Sequence, residues 1–283
     1  MNTMNPTVAL VAQGAMGSAV GGRLVEQGIH VVTSLTGRSE ASAKRAKAVG
    51  MVAVSDAETA KADVFMSILP PSDALALAEK MAGLIAGSNH KPIYVDCNAV
   101  NPPTKQRIGE VMIQAGCPFV DASIIGGPPK AGYTPAIYAS GGDASKFVPL
   151  GAFGLDIRLI EGPIGAASAL KCSYAGITKG ITALGAMMLL ASQRAGVGDA
   201  LRKELELSQP GFLAWFVRSI PLMYSKAYRF NGEMDEIADF TGEDPAARKM
   251  FESFSEFYTR IAADFEGKQE EVAALTAFVK PKQ

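Results

Sequence analysis

Short apolar runs alternate with amphipathic stretches through the first half of the chain, and the alternation stops near residue 165. Strands are predicted over residues 7–11, 30–35, 51–54, 63–69, 93–96, 119–122, 136–140 and 156–160, the last at a sheet edge. Helices are predicted over 18–27, 41–49, 75–85 and 104–115, with Gly28 and Gly116 as stops and a short helix at 147–150. Strand and helix in turn imply a parallel sheet with helices on both faces. From residue 166 onward the pattern is helical throughout, opening with a long helix over about 166–193. Gly162-Pro163-Ile164-Gly165 forms the hinge, so two domains are expected, 1–163 and 164–283.

The first strand runs into Ala12-Gln13-Gly14-Ala15-Met16-Gly17 and then a helix. Strand, glycine turn and helix in that order cradle a dinucleotide pyrophosphate with free backbone N–H groups and the positive end of the helix dipole. Gly14, Ala15, Met16 and Gly17 are the candidate contacts. Gly14 allows close backbone approach, and Gly17 allows the helix to pack on the strand. Ala12 stands where a first glycine is expected, a strained position if its φ must be positive. The fold class is therefore α/β, a Rossmann-type doubly wound sheet followed by an all-α C-terminal domain, the two joined by a long central helix. Beyond the second strand comes Thr36-Gly37-Arg38-Ser39, with no carboxylate until Glu40. Arg38 and Ser39 suit the 2′-phosphate of NADP, where a carboxylate would hold the ribose of NAD. Leu69 and Pro70 end the fourth strand, at the carboxyl edge where a cofactor would lie.

Composition narrows the classes. The 283 residues are 48% hydrophobic and 19% charged, with a net charge of −1. That balance describes a folded protein and suggests neither a nucleic-acid nor an anionic-membrane partner. Residues 1–6 lack the basic and apolar regions of a signal peptide. The longest nearly apolar run, about 177–191, is shorter than a membrane span. Cys97, Cys117 and Cys172 have no paired spacing, and a reduced cytoplasmic setting is expected. With only His30 and His90 available, a Ser-His-Asp triad and a histidine metal site are disfavoured, and no metal is expected. The central helix is apolar nearly all round, which implies burial between domains or subunits. Gly176 and Gly180 lie one turn apart, so another helix can approach that face. Lys171 and Lys179 sit within this helix, and a lysine there needs a reason because loss of water destabilises its charged form.

Four motifs in order resemble the β-hydroxyacid dehydrogenase superfamily, which includes 6-phosphogluconate and 3-hydroxyisobutyrate dehydrogenases. They are 12–17, similar to the family's cofactor turn; Asp96-Cys97-Asn98-Ala99-Val100-Asn101-Pro102; Asp121-Ala122-Ser123-Ile124-Ile125-Gly126-Gly127, similar to its substrate loop; and Gly162-Pro163-Ile164-Gly165 leading to Lys171. The resemblance implies reversible hydride transfer between a nicotinamide and a small hydroxyacid or related alcohol, with Lys171 as general acid and base. Ser123, Gly126 and Gly127 would position the substrate, and Asn98 would bridge substrate and nicotinamide ribose. Two positions depart from the pattern. Ile125 replaces the family's serine, and Ala175 replaces an asparagine one turn after the lysine, with Tyr174 beside it as a substitute donor or a packing residue. Residues 228–238 resemble the C-terminal domain of a poorly characterised branch, which implies a homodimer formed through the helical domain. Glu233 and Glu236 are expected as solvated residues at a helix start. Two alternatives stay open: an imine reductase or reductive aminase, against which Lys171 speaks, and an NADP-binding protein without chemistry.

Overall fold

The computed structural model describes residues 5–280. The chain divides into two compact units, Met1–Lys171 and Cys172–Gln283. The first unit holds strands β1 (Thr7–Val11), β2 (His30–Ser34), β3 (Val52–Val54), β4 (Val64–Ser67), β5 (Ile93–Asp96), β6 (Phe119–Ile125), β7 (Ala136–Ser140) and β8 (Asp156–Leu159). Between them lie helices α1 (Ala15–Glu26), α2 (Glu40–Ala48), α3 (Asp56–Thr59), α4 (Ala74–Ile85) and α5 (Pro102–Gln114). A 3-10 turn at Val148–Phe153 takes the place of the short helix expected at 147–150.

The strands form one sheet in the order β3-β2-β1-β4-β5-β6-β7-β8. The doubly wound pattern reverses between β1 and β4, and a ligand crevice opens at such a reversal. Alternation along each strand supplies two cores. Val8 and Leu10 pack with Val31, Val95 and Val120 on one face. Ala9 and Val11 pack with Val32, Phe65, Tyr94 and Phe119 on the other. Phe65, Tyr94 and Phe119 are register partners on three adjacent strands, and their rings stack at 5.1 Å and 6.1 Å. Burial on both faces explains why these strands read as continuous apolar runs.

The sheet is not parallel throughout. β7 runs antiparallel to β6, while β8 is again parallel to β7. The segment between β6 and β7 contains no helix, and a parallel return needs a longer crossover. α1 also begins earlier than its apolar pattern indicates. Ala15, Met16 and Gly17 are its first turn, and Gly14 is the extended residue before it. Gly28 and Gly116 do end their helices, at φ of 81° and 84°.

α6 (Ala166–Arg194) is followed in the second unit by α7 (Gly198–Ser208), α8 (Pro210–Met223), α9 (Ala227–Phe240), α10 (Pro245–Glu266) and α11 (Glu270–Val279). α6 is long and apolar enough to cross a membrane by length and composition, more than the 177–191 run suggested, with 56% of that window buried. Gly176 faces Phe251 and Gly180 faces Phe254 of α10, at 3.1 Å and 3.3 Å from where a Cβ would stand, so the two glycines admit the neighbouring helix. The opposite side of α6 is not buried within the chain: Tyr174, Ile177, Leu184 and Met188 form an exposed apolar stripe. Lys179 finds its partner in Glu233, at 2.8 Å, and its ammonium lies 4.9 Å from the centre of the Phe230 ring. Glu233 and Glu236 are therefore not at a helix start. Both stand well inside α9, whose first turn has no acidic residue, and Glu233 is a half-buried counterion.

Candidate active site

The carboxyl ends of β1, β4, β5 and β6 line one edge of the sheet. Val11, Ser67, Asp96 and Asp121 stand in register across these four strands. The segments predicted to bind ligand follow directly: Gly14–Gly17 after β1, Leu69 and Pro70 after β4, Asn98 after β5, and Ser123 to Gly127 at the end of β6. Topology thus gathers four separate motifs along a single edge, as a doubly wound sheet requires of its ligand site.

The turn after β1 fits a dinucleotide. A Cβ on Gly17 would lie 1.8 Å from the Ala12 carbonyl oxygen, so no side chain is possible there. A Cβ on Gly14 would meet nothing within 4 Å, which leaves that side open to a ligand. Ser18 makes the first intrahelical bond, N–H to Gly14 O at 2.9 Å, and its hydroxyl donates to the same oxygen at 2.7 Å. The amides of Ala15, Met16 and Gly17 precede that bond and have no carbonyl within the helix to pair with, as at any helix N-terminus. Ala12 does not have a positive φ, so the missing glycine introduces no strain of that kind. The Gln13 side chain is buried and donates to Thr33 Oγ1 and, at 3.2 Å, to Ser34 O, tying this turn to the end of β2.

Beyond β2 lie Arg38 and Ser39, and Arg45 of α2 stands with them. Ser39 caps α2, its hydroxyl accepting from Ser42 N–H at 3.3 Å. Among the described residues the Arg38 guanidinium has no hydrogen-bond or ion-pair partner. Arg45, one of several cations in α2, donates Nε–H to Gln13 O at 2.7 Å and Nη2–H to Ser42 Oγ at 3.0 Å. It places a second guanidinium between the glycine turn and Ser39. The sequence marks α2 only as basic, and nothing in it separates Arg45 from Lys44 or Lys47.

Asn98 has a different role from the one expected. It is buried, its amide donates to Ser67 Oγ at 2.8 Å and Asp96 Oδ2 at 2.9 Å, and its oxygen accepts from Leu69 N–H. Both amide hydrogens are occupied within the protein, so Asn98 ties the ends of β4 and β5 together beneath the crevice instead of reaching into it.

A buried ionic cluster lies below that edge. Lys105, on α5, is fully buried and bonds Asp96 Oδ1, Asp96 O at 2.9 Å and Asn98 O at 3.2 Å, with Asp121 Oδ1 at 3.7 Å. Burial alone would pull the Lys105 ammonium's pKa down, but Asp96 and Asp121 outweigh it and hold the pKa above the ordinary lysine value. Burial pushes the neighbouring Cys97 thiol up to about 12, so it is an inert thiol. Asp121 turns its other bonds to the start of α6. Its carboxylate accepts from Gly165 N–H at 2.8 Å, Ser168 N–H at 3.3 Å, Ser168 Oγ–H at 2.9 Å and Ser140 Oγ–H at 2.9 Å. A carboxylate at a helix N-terminus satisfies orphan amides and complements the dipole. Lys105 was passed over in reading the sequence, although a signal for it exists. It shares a stripe with Ile108, Gly109 and Met112, spaced as the buried face of a helix, and only an internal counterion keeps an ammonium there.

One turn beyond Ser168 stands Lys171. Its ammonium donates to Ile124 O at 2.6 Å, at the end of β6, and the side chain is half-buried. Ser123 precedes Ile124 and shares its strand face with Asp121. Its hydroxyl is buried with no hydrogen-bond partner among the described residues. The Gly126-Gly127 turn follows, with Gly126 at φ 132°. The Gly127 N–H, expected to be free for a substrate oxygen, donates to the Tyr133 hydroxyl at 3.2 Å. Tyr174 lies on the same helix as Lys171 but within the second unit, half exposed.

The family model described as the NAD binding domain of 6-phosphogluconate dehydrogenase matches residues 7–151, slightly more than half of the chain. The chain belongs to the β-hydroxyacid dehydrogenase superfamily. A second model, described as a domain of unknown function (DUF1932), matches residues 192–261. An uncharacterized 28.5 kDa protein of Methanothermus fervidus is 32% identical over 180 residues, which cover 63% of this chain and 68% of that one. Among solved structures, a conserved protein described as structurally similar to 3-hydroxyacid dehydrogenases is 29% identical with a TM-score of 0.72, over 92% of this chain and 98% of that one. The 3-hydroxyisobutyrate dehydrogenase of Mycobacterium tuberculosis, solved with L-serine, shares the fold at 18% identity and a TM-score of 0.74, with 98% of both chains covered. This superfamily membership supports an NAD(P)-binding oxidoreductase resembling the 3-hydroxyacid dehydrogenases.

Proposed function

We propose that the protein is an NADP-dependent oxidoreductase acting on the CH–OH group of a small hydroxyacid or related alcohol, with Lys171 as general acid and base. The observation that carries this reading is the position of the Lys171 ammonium, held at the end of β6 beside Ser123 and the Gly126-Gly127 turn. A nicotinamide bound along this edge supplies or accepts the hydride. Gly14 to Gly17 hold the pyrophosphate, and Arg38, Ser39 and Arg45 hold a 2′-phosphate. Leu69 and Pro70 would border the cofactor, and Asn98 ties together the strand ends that would support it. In the reducing direction Lys171 donates a proton to the carbonyl oxygen as hydride arrives at its carbon. In the oxidising direction the amine accepts the hydroxyl proton. The bond to Ile124 O holds the amine at the end of β6.

The exposed stripe on α6 supports a homodimer formed through the helical region. Its members follow the spacing of a helix–helix seam, and Ile177 alone is 64% exposed.

The test is Lys171→Met. The variant is expected to bind NADPH with unchanged affinity while kcat on a responsive hydroxyacid or oxoacid falls about 10²–10⁴-fold, the usual contribution of a positioned acid–base group. Turnover within a few-fold of the parent would remove Lys171 from the mechanism. Activity on cyclic imines in place of oxoacids would move the protein to the reductive-amination class.

A further inference from the structure

The loss of the motif serine at Ile125 leaves the substrate loop one hydroxyl short, and the loop between β6 and β7 restores one from elsewhere. Tyr133 folds back so that its hydroxyl accepts from Gly127 N–H at 3.2 Å. That oxygen lies 2.2 Å from where a Cβ on Gly126 would stand, so Gly126 must remain glycine for the tyrosine to reach. The loop is held in this shape. Lys130 and Tyr133 exchange backbone bonds of 3.0 Å and 2.9 Å across a tight turn with Gly132 at φ 72°. Arg23 of α1 grips the same loop, donating to Thr134 Oγ1 at 2.8 Å and to Lys130 O at 3.0 Å.

A phenol that accepts a bond from an amide keeps its own O–H free to donate. Tyr133 also borders an open surface depression of about 500 Å³, lined with it by Gly127, Pro128, Pro129 and Lys130. The Lys130 ammonium has no partner among the described residues. The two prolines contribute no N–H and form an apolar wall. A phenolic O–H and an ammonium beside an apolar wall match an acceptor-only, negatively charged oxygen group attached to a small carbon body.

We propose that Tyr133 and Lys130 form the seat for the substrate's anionic group, a carboxylate or a phosphate, in place of the missing serine at position 125. This assignment rests on the reading of the β6 end as the substrate side of an oxidoreductase. Tyr133 donates its O–H to one anionic oxygen and Lys130 balances the charge, while the Gly127 amide keeps the phenol turned toward the ligand. Neutral polyols have no use for the ammonium and are expected to bind far more weakly.

The experiment is titration of the full-length protein, with NADPH present, by isothermal titration calorimetry. The probes are 3-hydroxypropanoate, inorganic phosphate and, as neutral control, glycerol. One of the two anions is expected to bind the parent protein and glycerol is not, the preferred anion distinguishing a carboxylate seat from a phosphate seat. Tyr133→Phe and Lys130→Met are each expected to weaken that anion about tenfold or more, the effect of losing one charge-assisted contact, with NADPH affinity unchanged. Binding of neither anion, or variants that bind as the parent does, overturns the seat. Turnover is measured separately. Anion binding without turnover supports the seat while sinking the oxidoreductase reading, and turnover without anion binding sinks only the seat.

Discussion

Replacing Asp121 by asparagine changes one charge and almost no volume at the junction of β6, α5 and α6. The native carboxylate accepts four hydrogen bonds, from Ser140, Gly165 and, twice, Ser168, and stands 3.7 Å from Lys105 Nζ, all out of contact with water. In the variant the amide oxygen can keep the Gly165 and Ser168 N–H bonds. The amide nitrogen must then take the place of Oδ1, where it faces the Ser168 hydroxyl and the Lys105 ammonium. Removing one partner of a buried ion pair costs about 3–5 kcal/mol. Lys105 keeps Asp96, so the lower end of that range applies, about 3 kcal/mol. For a unit of this size such a loss lowers Tm by roughly 6–12 °C. Calorimetry of the parent, Asp121→Asn, Lys105→Met and the double variant forms the assay. The double variant is expected to lose at least about 1 kcal/mol less than the two single losses added together, because the second change removes a charge the first had stranded. A single variant melting within about 2 °C of the parent, or strict additivity, would refute the claim that Asp121 balances Lys105.

Other outcomes follow from the same geometry. Arg38→Ala is expected to raise the KM for NADPH about 10–100-fold, the loss of a charge-assisted phosphate contact, with NADH kinetics within about twofold of the parent; equal effects on both cofactors would remove Arg38 from the 2′-phosphate site. The raised pKa of Lys105 means the folded chain holds that proton more tightly than the unfolded one. Its stabilisation is complete below the unfolded lysine value of about 10.4 and is lost as pH rises through the higher folded value, so Tm should decline above about pH 10 and Lys105→Met should lack this component of the alkaline slope. Ile177→Asp, on the exposed stripe of α6, is expected to turn a dimer into a monomer by light scattering at micromolar concentration, and a monomeric parent would refute the seam.

The sheet was readable because its strands are buried on both faces and punctuated by glycine and proline. β1, β5 and β7 begin and end where their apolar runs do. Direction was not readable for β7, since the sequence shows a strand without showing that its connection is too short to cross over. α1 began three residues before its apolar pattern because Ala15, Met16 and Gly17 are small residues compatible with either a turn or a helix. At the candidate site, the motifs after β1, β4, β5 and β6 were readable from their order along the chain, and the structure brings them to one edge of the sheet. The internal bonding of Asn98 was not readable, because whether an amide faces ligand or neighbour depends on contacts far apart in sequence, such as Asn98 to Ser67. Lys105 went unread, although a charge on the apolar stripe it shares with Ile108, Gly109 and Met112 is a visible signal.

The clamp of Asp121 on Ser168 works as a phase reference. The helix turns about 100° for each residue, so the three-residue interval to Lys171 fixes the azimuth of the amine as well as its height. Deleting or inserting a single residue between 168 and 171 would swing the amine a quarter-turn or more away from Ile124 with every other contact in place. The interval is thus a dimension of the protein that substitutions can leave alone but length changes cannot.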